Sequence, residues 1–141
     1  MTHLLDTSAL LSHYLGEPGA EVVQAIFEDD SNTPGTLILA LFEFELRLHL
    51  LGLDIKSRAR EMARLRELMV AIVDVNEDVR SEAIRLRLLS SERIATIDIL
   101  IAATARLNDA ILVHRDPHFR NLPATEVRQI VLPPKRELPD R

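Results

Sequence analysis

Short apolar runs alternate with amphipathic helical segments along this chain, and this alternation is the pattern that most restricts its fold. Runs of this length and composition are typical of buried strands. They lie at residues 3–5, 35–38, 71–75, 110–113 and 127–132. Because helical segments separate them, the strands require crossover connections and pair mainly in parallel. The sequence therefore predicts an α/β fold with a mostly parallel central sheet and helices on both faces.

The helical segments are predicted from apolar residues at i, i+3 and i+4 spacing. The first two pass through Leu10 to Tyr14 and through Val22 to Phe27, and Gly16-Glu17-Pro18-Gly19 separates them. Later helices are predicted at 56–70, 77–89 and 96–108.

Residues 36–51 fit two interpretations. Apolar residues from Phe42 to Leu50 alternate strictly with Glu43, Glu45, Arg47 and His49, as in a half-buried strand. The segment is long for a strand, however, and Leu and Glu favour helix. We therefore predict a short strand at 35–38 followed by a helix, on which Glu43 and Arg47 stand one turn apart.

Length and composition indicate one domain. The chain has 141 residues, of which 47% are hydrophobic, and this is enough to form a single core. We expect the domain at 1–132 and a loose tail at 133–141, which contains three prolines. There is no cysteine, no secretory signal pattern at the N-terminus and no apolar run that could span a bilayer, so we expect a cytoplasmic protein without a membrane partner.

The net charge of −5 does not decide whether the chain binds nucleic acid. Residues 1–55 carry nine acids and one base, whereas residues 56–141 carry sixteen bases and thirteen acids. A carboxylate-lined metal site also requires surplus negative charge, which bound cations offset in part.

Two aspartates follow predicted strands. Asp6 comes directly after the run at 3–5, and Asp116 comes shortly after the run at 110–113. The structural alternative for Asp6 is a turn or cap residue, and for Asp116 it is an N-cap followed by Pro117. Ligand sites in parallel sheets lie beyond the carboxyl ends of the strands, which is where both residues are expected.

Two further acids lie on predicted helices. Asp98 stands in the apolar stretch 94–105, where an unpartnered ionised carboxylate is unfavourable. Its structural alternative is a place in the first helical turn, capped by Thr96. Glu43 has the alternative of a surface ion pair with Arg47, and Glu45 is its rival as the site glutamate.

Together the four acids are typical of a site for hard divalent cations. Mg²⁺ and Mn²⁺ take oxygen ligands, often one or two carboxylates with water and substrate phosphate. Clustered carboxylates also repel one another, so some should have raised pKa values in the absence of a cation. The histidines lack the paired spacing of a metal site.

Four segments carry a resemblance to a known family. LLDTSALL at 4–11, Glu43 on its helix, IDILIAATA at 97–105 and LVHRDPHF at 112–119 resemble the PIN-domain family, and the likeness is greatest to its VapC-type toxins of bacterial toxin–antitoxin pairs. The resemblance extends over about residues 1–132 and includes GEPGAEVV after the first helix. It implies a three-layer α/β/α sandwich.

The resemblance also implies an activity, a cofactor and partners. It implies a Mg²⁺- or Mn²⁺-dependent endoribonuclease, a hydrolase whose acidic site corresponds to Asp6, Glu43, Asp98 and Asp116, with the three aspartates as metal ligands. It implies an RNA substrate, a homodimer, and inhibition by a VapB-type antitoxin that inserts an arginine or a C-terminal segment near the acids. Thr7 or Ser8 commonly orients the first aspartate in such proteins.

The chain departs from the family pattern at two positions. His114 stands where the family usually has Thr or Ser, and His118 stands where a further acid is common. For contacts to RNA phosphates, Arg93 and Arg115 are the candidates nearest the predicted site.

Other functions remain as alternatives or are excluded. A structure-specific DNA nuclease of related fold and a catalytically silent PIN-like interaction module are the alternatives. A phospho-acceptor receiver domain needs a lysine after a late strand, and neither Lys56 nor Lys135 fits this requirement. A phosphatase with a D-x-D motif is excluded because residue 8 is serine.

Overall fold

Five strands form one central sheet. A computed structural model of the chain describes residues 1–136. The strands are β1 (His3–Leu5), β2 (Pro34–Leu37), β3 (Ala71–Val73), β4 (Ile111–His114) and β5 (Gln129–Val131), in the spatial order β3-β2-β1-β4-β5. All four strand pairs are parallel. The prediction of a mostly parallel sheet is confirmed, and within residues 1–136 the sheet is wholly parallel.

Six α-helices connect and cover the strands. They are α1 (Thr7–Leu15), α2 (Ala20–Glu28), α3 (Ile38–Leu50), α4 (Ile55–Leu68), α5 (Glu77–Leu89) and α6 (Thr96–Leu107), and a short 3-10 helix follows at Pro117–Asn121. The helical interpretation of residues 36–51 is correct. Phe44 is fully buried on α3 whereas Phe42 is 62% exposed, and two such neighbours in a strand would share one face.

The central strands separate two apolar cores. Leu4 and Leu112 pack with α5 and α6, whereas Leu5 and Val113 pack with α1 to α4. Successive side chains of a strand point to opposite faces of the sheet, so each strand contributes to both cores. The predicted α/β/α layering is confirmed.

Two glycines shape the connection between α1 and α2. Gly16 ends α1 with a φ of 64°, a left-handed conformation that residues with a Cβ rarely adopt. Gly19 has a φ of 95°, and a Cβ there would lie 3.0 Å from the Leu132 Cβ. This close approach holds the loop at 16–19 against the chain that leaves β5.

The predicted loose tail at 133–141 lies partly outside the described residues, which end at Arg136. In its described part, the Lys135 Nζ lies 3.9 Å from a carboxylate oxygen of Glu17. Within residues 1–136, no helix has the length and apolar character needed to cross a membrane.

Substitution of the two phenylalanines of α3 tests the helical arrangement. Phe44→Ala should lower the free energy of unfolding by about 3–5 kcal/mol, because it leaves a cavity in the core below α3. The matched change Phe42→Ala removes an exposed ring and should change stability by less than about 0.5 kcal/mol. Urea unfolding of both variants checks this, and equal losses would contradict the helical packing.

Candidate active site

Strand pairing brings two of the predicted acids to one edge of the sheet. Leu5 of β1 is in register with Val113 of β4, and the backbone N–H of Asp6 donates to the Val113 carbonyl at 3.1 Å. Asp6 directly follows β1, and Asp116 lies two residues beyond the end of β4. Both carboxylates therefore stand at the carboxyl edge of the sheet, as expected for ligand sites in parallel sheets.

Asp6 is buried and caps α1. Its Oδ1 accepts from the Ala9 N–H at 2.9 Å and from the Ser8 hydroxyl at 2.7 Å. Asp6 is only 3% exposed. Burial, with smaller contributions from the charges of Asp98 and Asp116, raises the pKa of its carboxyl to about 7 although the hydrogen bonds from Ser8 and Ala9 lower it. The capping role and a place in the acidic site are thus compatible.

Glu43 contacts Thr7 across the helix pair. The Thr7 hydroxyl donates to the Glu43 Oε1 at 3.0 Å, so α1 fixes the carboxylate of α3. Among the described residues, Glu43 forms no ion pair with Arg47, which was the structural alternative for this glutamate. Glu45 is exposed and does not line the pocket that contains Glu43.

Asp98 lies in the first turn of α6 and is half-buried. The residue that caps α6 is Ala95 and not Thr96, and it makes no side-chain capping bond. Burial, followed by the charges of Asp116 and Glu43, raises the pKa of Asp98 to about 6. The carboxylate is therefore held near other negative charges at a position where solvation is incomplete.

Asp116 caps the 3-10 helix, as its Asp-Pro sequence indicates. Its Oδ1 accepts from the His118 N–H at 2.8 Å and lies 2.8 Å from the His118 Nδ1. His118 therefore places a ring nitrogen beside Asp116 at a position where an acid is common in the family.

All four acids line one open pocket of about 470 Å³. The pocket lies between the ends of β1 and β4, the second turn of α3 and the start of α6. Its wall comprises Asp6, Thr7, Ser8, Leu11, Glu43, Leu46, Arg47, Asp98, Asp116 and Lys135. Arg47 and Lys135 were not predicted as site residues, because Arg47 was considered only as a surface partner of Glu43 and Lys135 lies in the predicted tail.

Two basic residues close to the predicted site, His114 and Arg115, do not line the pocket. His114 is 1% exposed, its Nε2 lies 2.7 Å from the Gln129 Oε1, and burial lowers its pKa, so it is a core residue. The side chain of Arg115 is only 10% exposed, binds Glu17, Ser12 and Pro18, and does not line this pocket. Its contact with RNA phosphate stays a prediction.

The sequence matches a known family over most of its length. The PIN domain family model matches residues 3–124. The chain belongs to the PIN domain family. Membership in this family of nucleases supports a nuclease activity for this PIN domain. No curated protein matches the sequence significantly.

Several solved structures share the fold of this PIN domain. VapBC2 from Rickettsia felis, bound to a DNA fragment from its promoter, has a TM-score of 0.75 at 16% identity and covers 94% of this chain and 100% of that chain. FitAcB from Neisseria gonorrhoeae has a TM-score of 0.69 at 25% identity, with 91% and 96% covered. VapBC-1 from nontypeable Haemophilus influenzae has a TM-score of 0.72 at 15% identity, with 93% and 98% covered.

The donor set of this PIN domain fits a hard cation by its chemistry, but the carboxylates do not form a closed ligand shell. No group of three or more His, Asp or Glu residues within residues 1–136 is close enough to hold a metal ion as it stands. Local partners hold Asp6, Glu43 and Asp116 in place. Small side-chain rotations or bridging waters are therefore required for a cation to join them.

Replacement of Asp6 by asparagine tests the electrostatic cost of the pocket. A raised carboxyl pKa contributes stability below about pH 4 that is lost as pH rises through the folded pKa of about 7. In the presence of a chelator, Asp6→Asn should therefore be more stable than the unmodified protein at pH 8, on the order of 2–4 kcal/mol, and equal at pH 4. Thermal unfolding across this pH range measures the difference.

The control is Asp54→Asn, because Asp54 caps α4 in the same way but is exposed. Hydrogen bonds from Ser57 lower the pKa of Asp54, so its contribution has the opposite sign. A gain for Asp54→Asn at pH 8, or a gain for Asp6→Asn that does not depend on pH, would contradict the interpretation.

Proposed function

We propose that this PIN domain is a Mg²⁺- or Mn²⁺-dependent endoribonuclease and the toxin of a type II toxin–antitoxin pair. The observation that carries the proposal is the pocket at the carboxyl edge of the sheet, which four carboxylates from β1, α3, α6 and the end of β4 line together. PIN-domain nucleases generally use divalent cations, and a set of oxygen donors with mutual repulsion is suited to them.

Each acid has a role in the proposal that follows from its surroundings. Asp6, Asp98 and Asp116 hold the cation, directly or through water. A bound cation supplies charge neutralisation at the phosphoryl oxygens and lowers the pKa of water. Glu43 orients the attacking water, and the Thr7 hydroxyl, which donates to its Oε1, fixes the direction of this carboxylate.

The proposed reaction is hydrolysis of an RNA phosphodiester. Water attacks phosphorus in line with the leaving 3′-oxygen, which takes up a proton, and the products carry 5′-phosphate and 3′-hydroxyl ends. Arg47 and Lys135 provide positive charge at the wall of the pocket for the phosphate backbone.

Cleavage of a labelled RNA in Mn²⁺ tests the activity. The unmodified protein should cleave, whereas Asp6→Asn and Asp98→Asn should each lower the rate at least about 100-fold, since these carboxylates contribute directly to the cation site. Glu45→Gln, two residues from Glu43 and outside the pocket, is the matched control and should retain the rate.

A DNA strand of the same sequence distinguishes the alternative activity. Cleavage of DNA in preference to RNA would favour the structure-specific DNA nuclease. Absence of cleavage of either, or equal cleavage by the unmodified protein and Asp6→Asn, would leave the interaction module as the better interpretation.

An exposed apolar stripe on α3 supports an antitoxin partner beside the pocket. Phe42, Leu46 and Leu50 stand one turn apart and are 62%, 47% and 68% exposed. Leu46 also lines the acidic pocket. We propose that an amphipathic segment of the antitoxin packs on this stripe, since a helix row at i, i+4 and i+8 is the common pattern of helix-in-groove recognition.

Co-expression with any short reading frame found next to the gene tests the partner. Its product should co-purify with the unmodified protein, and Leu46→Glu should abolish co-purification by placing a charge in the apolar contact. Leu107→Glu is the matched control, because Leu107 on α6 is 46% exposed and lies outside the stripe. Loss with both variants, or with neither, would contradict docking at α3.

The homodimer that the resemblance implies stays a prediction. Three apolar side chains near the end of α5 are exposed and support an interface there: Ile84, Leu88 and Leu89.

A further inference from the structure

The guanidinium of Arg115 contacts three protein groups. It donates to the Glu17 carboxylate at 2.5 Å, to the Ser12 hydroxyl at 2.9 Å and to the Pro18 carbonyl at 2.7 Å. The planar guanidinium presents its donors from separate nitrogens in a fixed fork, whereas a lysine offers its three donors from a single nitrogen. These contacts tie the end of β4 to the loop between α1 and α2.

The ion pair between Arg115 and Glu17 is largely buried, and this burial limits its contribution to stability. The Arg115 and Glu17 side chains are 10% and 19% exposed, and the Arg115 Nε is buried with no partner among residues 1–136. Desolvation of such a pair offsets much of its attraction, so ion pairs of this kind contribute little net stability. In some proteins such pairs instead fix a geometry.

Two hydrogen bonds connect Arg115, which binds the loop at 16–19, to the acidic pocket. The backbone N–H of Arg115 donates to the Ser8 Oγ at 2.9 Å, and the Ser8 hydroxyl donates to the Asp6 Oδ1 at 2.7 Å. Ser8 has one proton to donate, and this path directs it at Asp6. Asp116 is the next residue along the chain, so a displacement of Arg115 moves both aspartates.

We propose that Arg115 is a positioning residue for the acidic pocket: its grip on the loop at 16–19 sets the distance and orientation of Asp6 relative to Asp116. This inference rests on the proposed function for its effect on activity, but the placement of Asp6 can be measured without activity. Arg115 touches neither substrate nor cation in this role. It acts through its own backbone N–H and the Ser8 hydroxyl.

Amide hydrogen exchange tests the placement directly. The Ala9 N–H donates to the Asp6 Oδ1 and reports whether the carboxylate stays in place. In Arg115→Lys, a single nitrogen replaces the Nη1 that contacts Glu17 and the Nη2 that contacts Ser12 and Pro18. The loop should then be held less firmly, and the Ala9 amide should exchange several-fold faster. The Val79 amide, which Asn76 caps in the same way on α5, should be unchanged.

Mn²⁺ titration tests the consequence for the site. Arg115→Lys and the milder Glu17→Gln should raise the Mn²⁺ concentration required for cleavage, and for the Mn²⁺-induced increase in Tm, by roughly 10- to 100-fold. The KM for RNA should stay within about twofold, because no phosphate contact is lost. Glu17→Gln keeps the test valid if Arg115→Lys does not fold.

Glu126→Gln is the matched control. Glu126 is 22% exposed and bridges Arg85 and Arg106, so its loss removes a comparable ion-pair network away from the pocket. It should leave Mn²⁺ dependence and Ala9 exchange unchanged, even if Tm falls.

Three outcomes would overturn the inference. They are unchanged Ala9 exchange in both variants, equal effects of Glu126→Gln, and an increase in KM with weaker salt dependence, which would instead indicate a phosphate contact. If the unmodified protein binds Mn²⁺ but cleaves no RNA, the proposed function fails. The exchange and Tm measurements still decide the role of Arg115.

Discussion

The in-register pairing of β1 with β4 is the constraint on which the site depends. Residues Leu5 and Val113 lie opposite one another, and the next backbone bond, from Asp6 to Val113, extends the ladder past the end of β1. A shift of one residue would turn the core side chains of either strand to the wrong layer. The two apolar cores therefore fix the register, and the register places the two aspartates at one edge.

The fold holds the carboxylates of the acidic pocket close together although they repel one another and are partly removed from water. Asp6 is buried and Asp98 half-buried, and other carboxylates raise the pKa of each. Local bonds hold this arrangement: Ser8 and Ala9 bind Asp6, and Thr7 binds Glu43. Local arrangements that oppose stability, supported by neighbouring contacts, are characteristic of functional sites.

The sequence was most informative where the pattern was local. Periodicity predicted the strands and helices because alternation and i, i+4 spacing depend only on neighbours along the chain. The start of α6 was less well defined, because cap preferences are weak: Ala95, and not Thr96, is the cap.

Contacts between distant residues could not be read from the sequence. The i, i+4 rule offered Arg47 as the partner of Glu43, whereas the hydroxyl that binds this glutamate is on Thr7, 36 residues earlier. Arg115 seemed available to phosphate, but its partner Glu17 is 98 residues away. Proximity along the chain to site segments indicated that Arg115 matters but could not identify Glu17 as its partner.

The burial of Asp6 also bears on how the proposed cation site would respond to pH. Burial raises the pKa of this carboxyl to about 7, so the site would hold a proton more readily than an exposed aspartate does. A divalent ion bound at the proposed site would compete with that proton, and its binding would release acid and weaken as the surroundings become more acidic. The carboxyl that caps α1 would then couple cation binding in the pocket to the acidity of its environment.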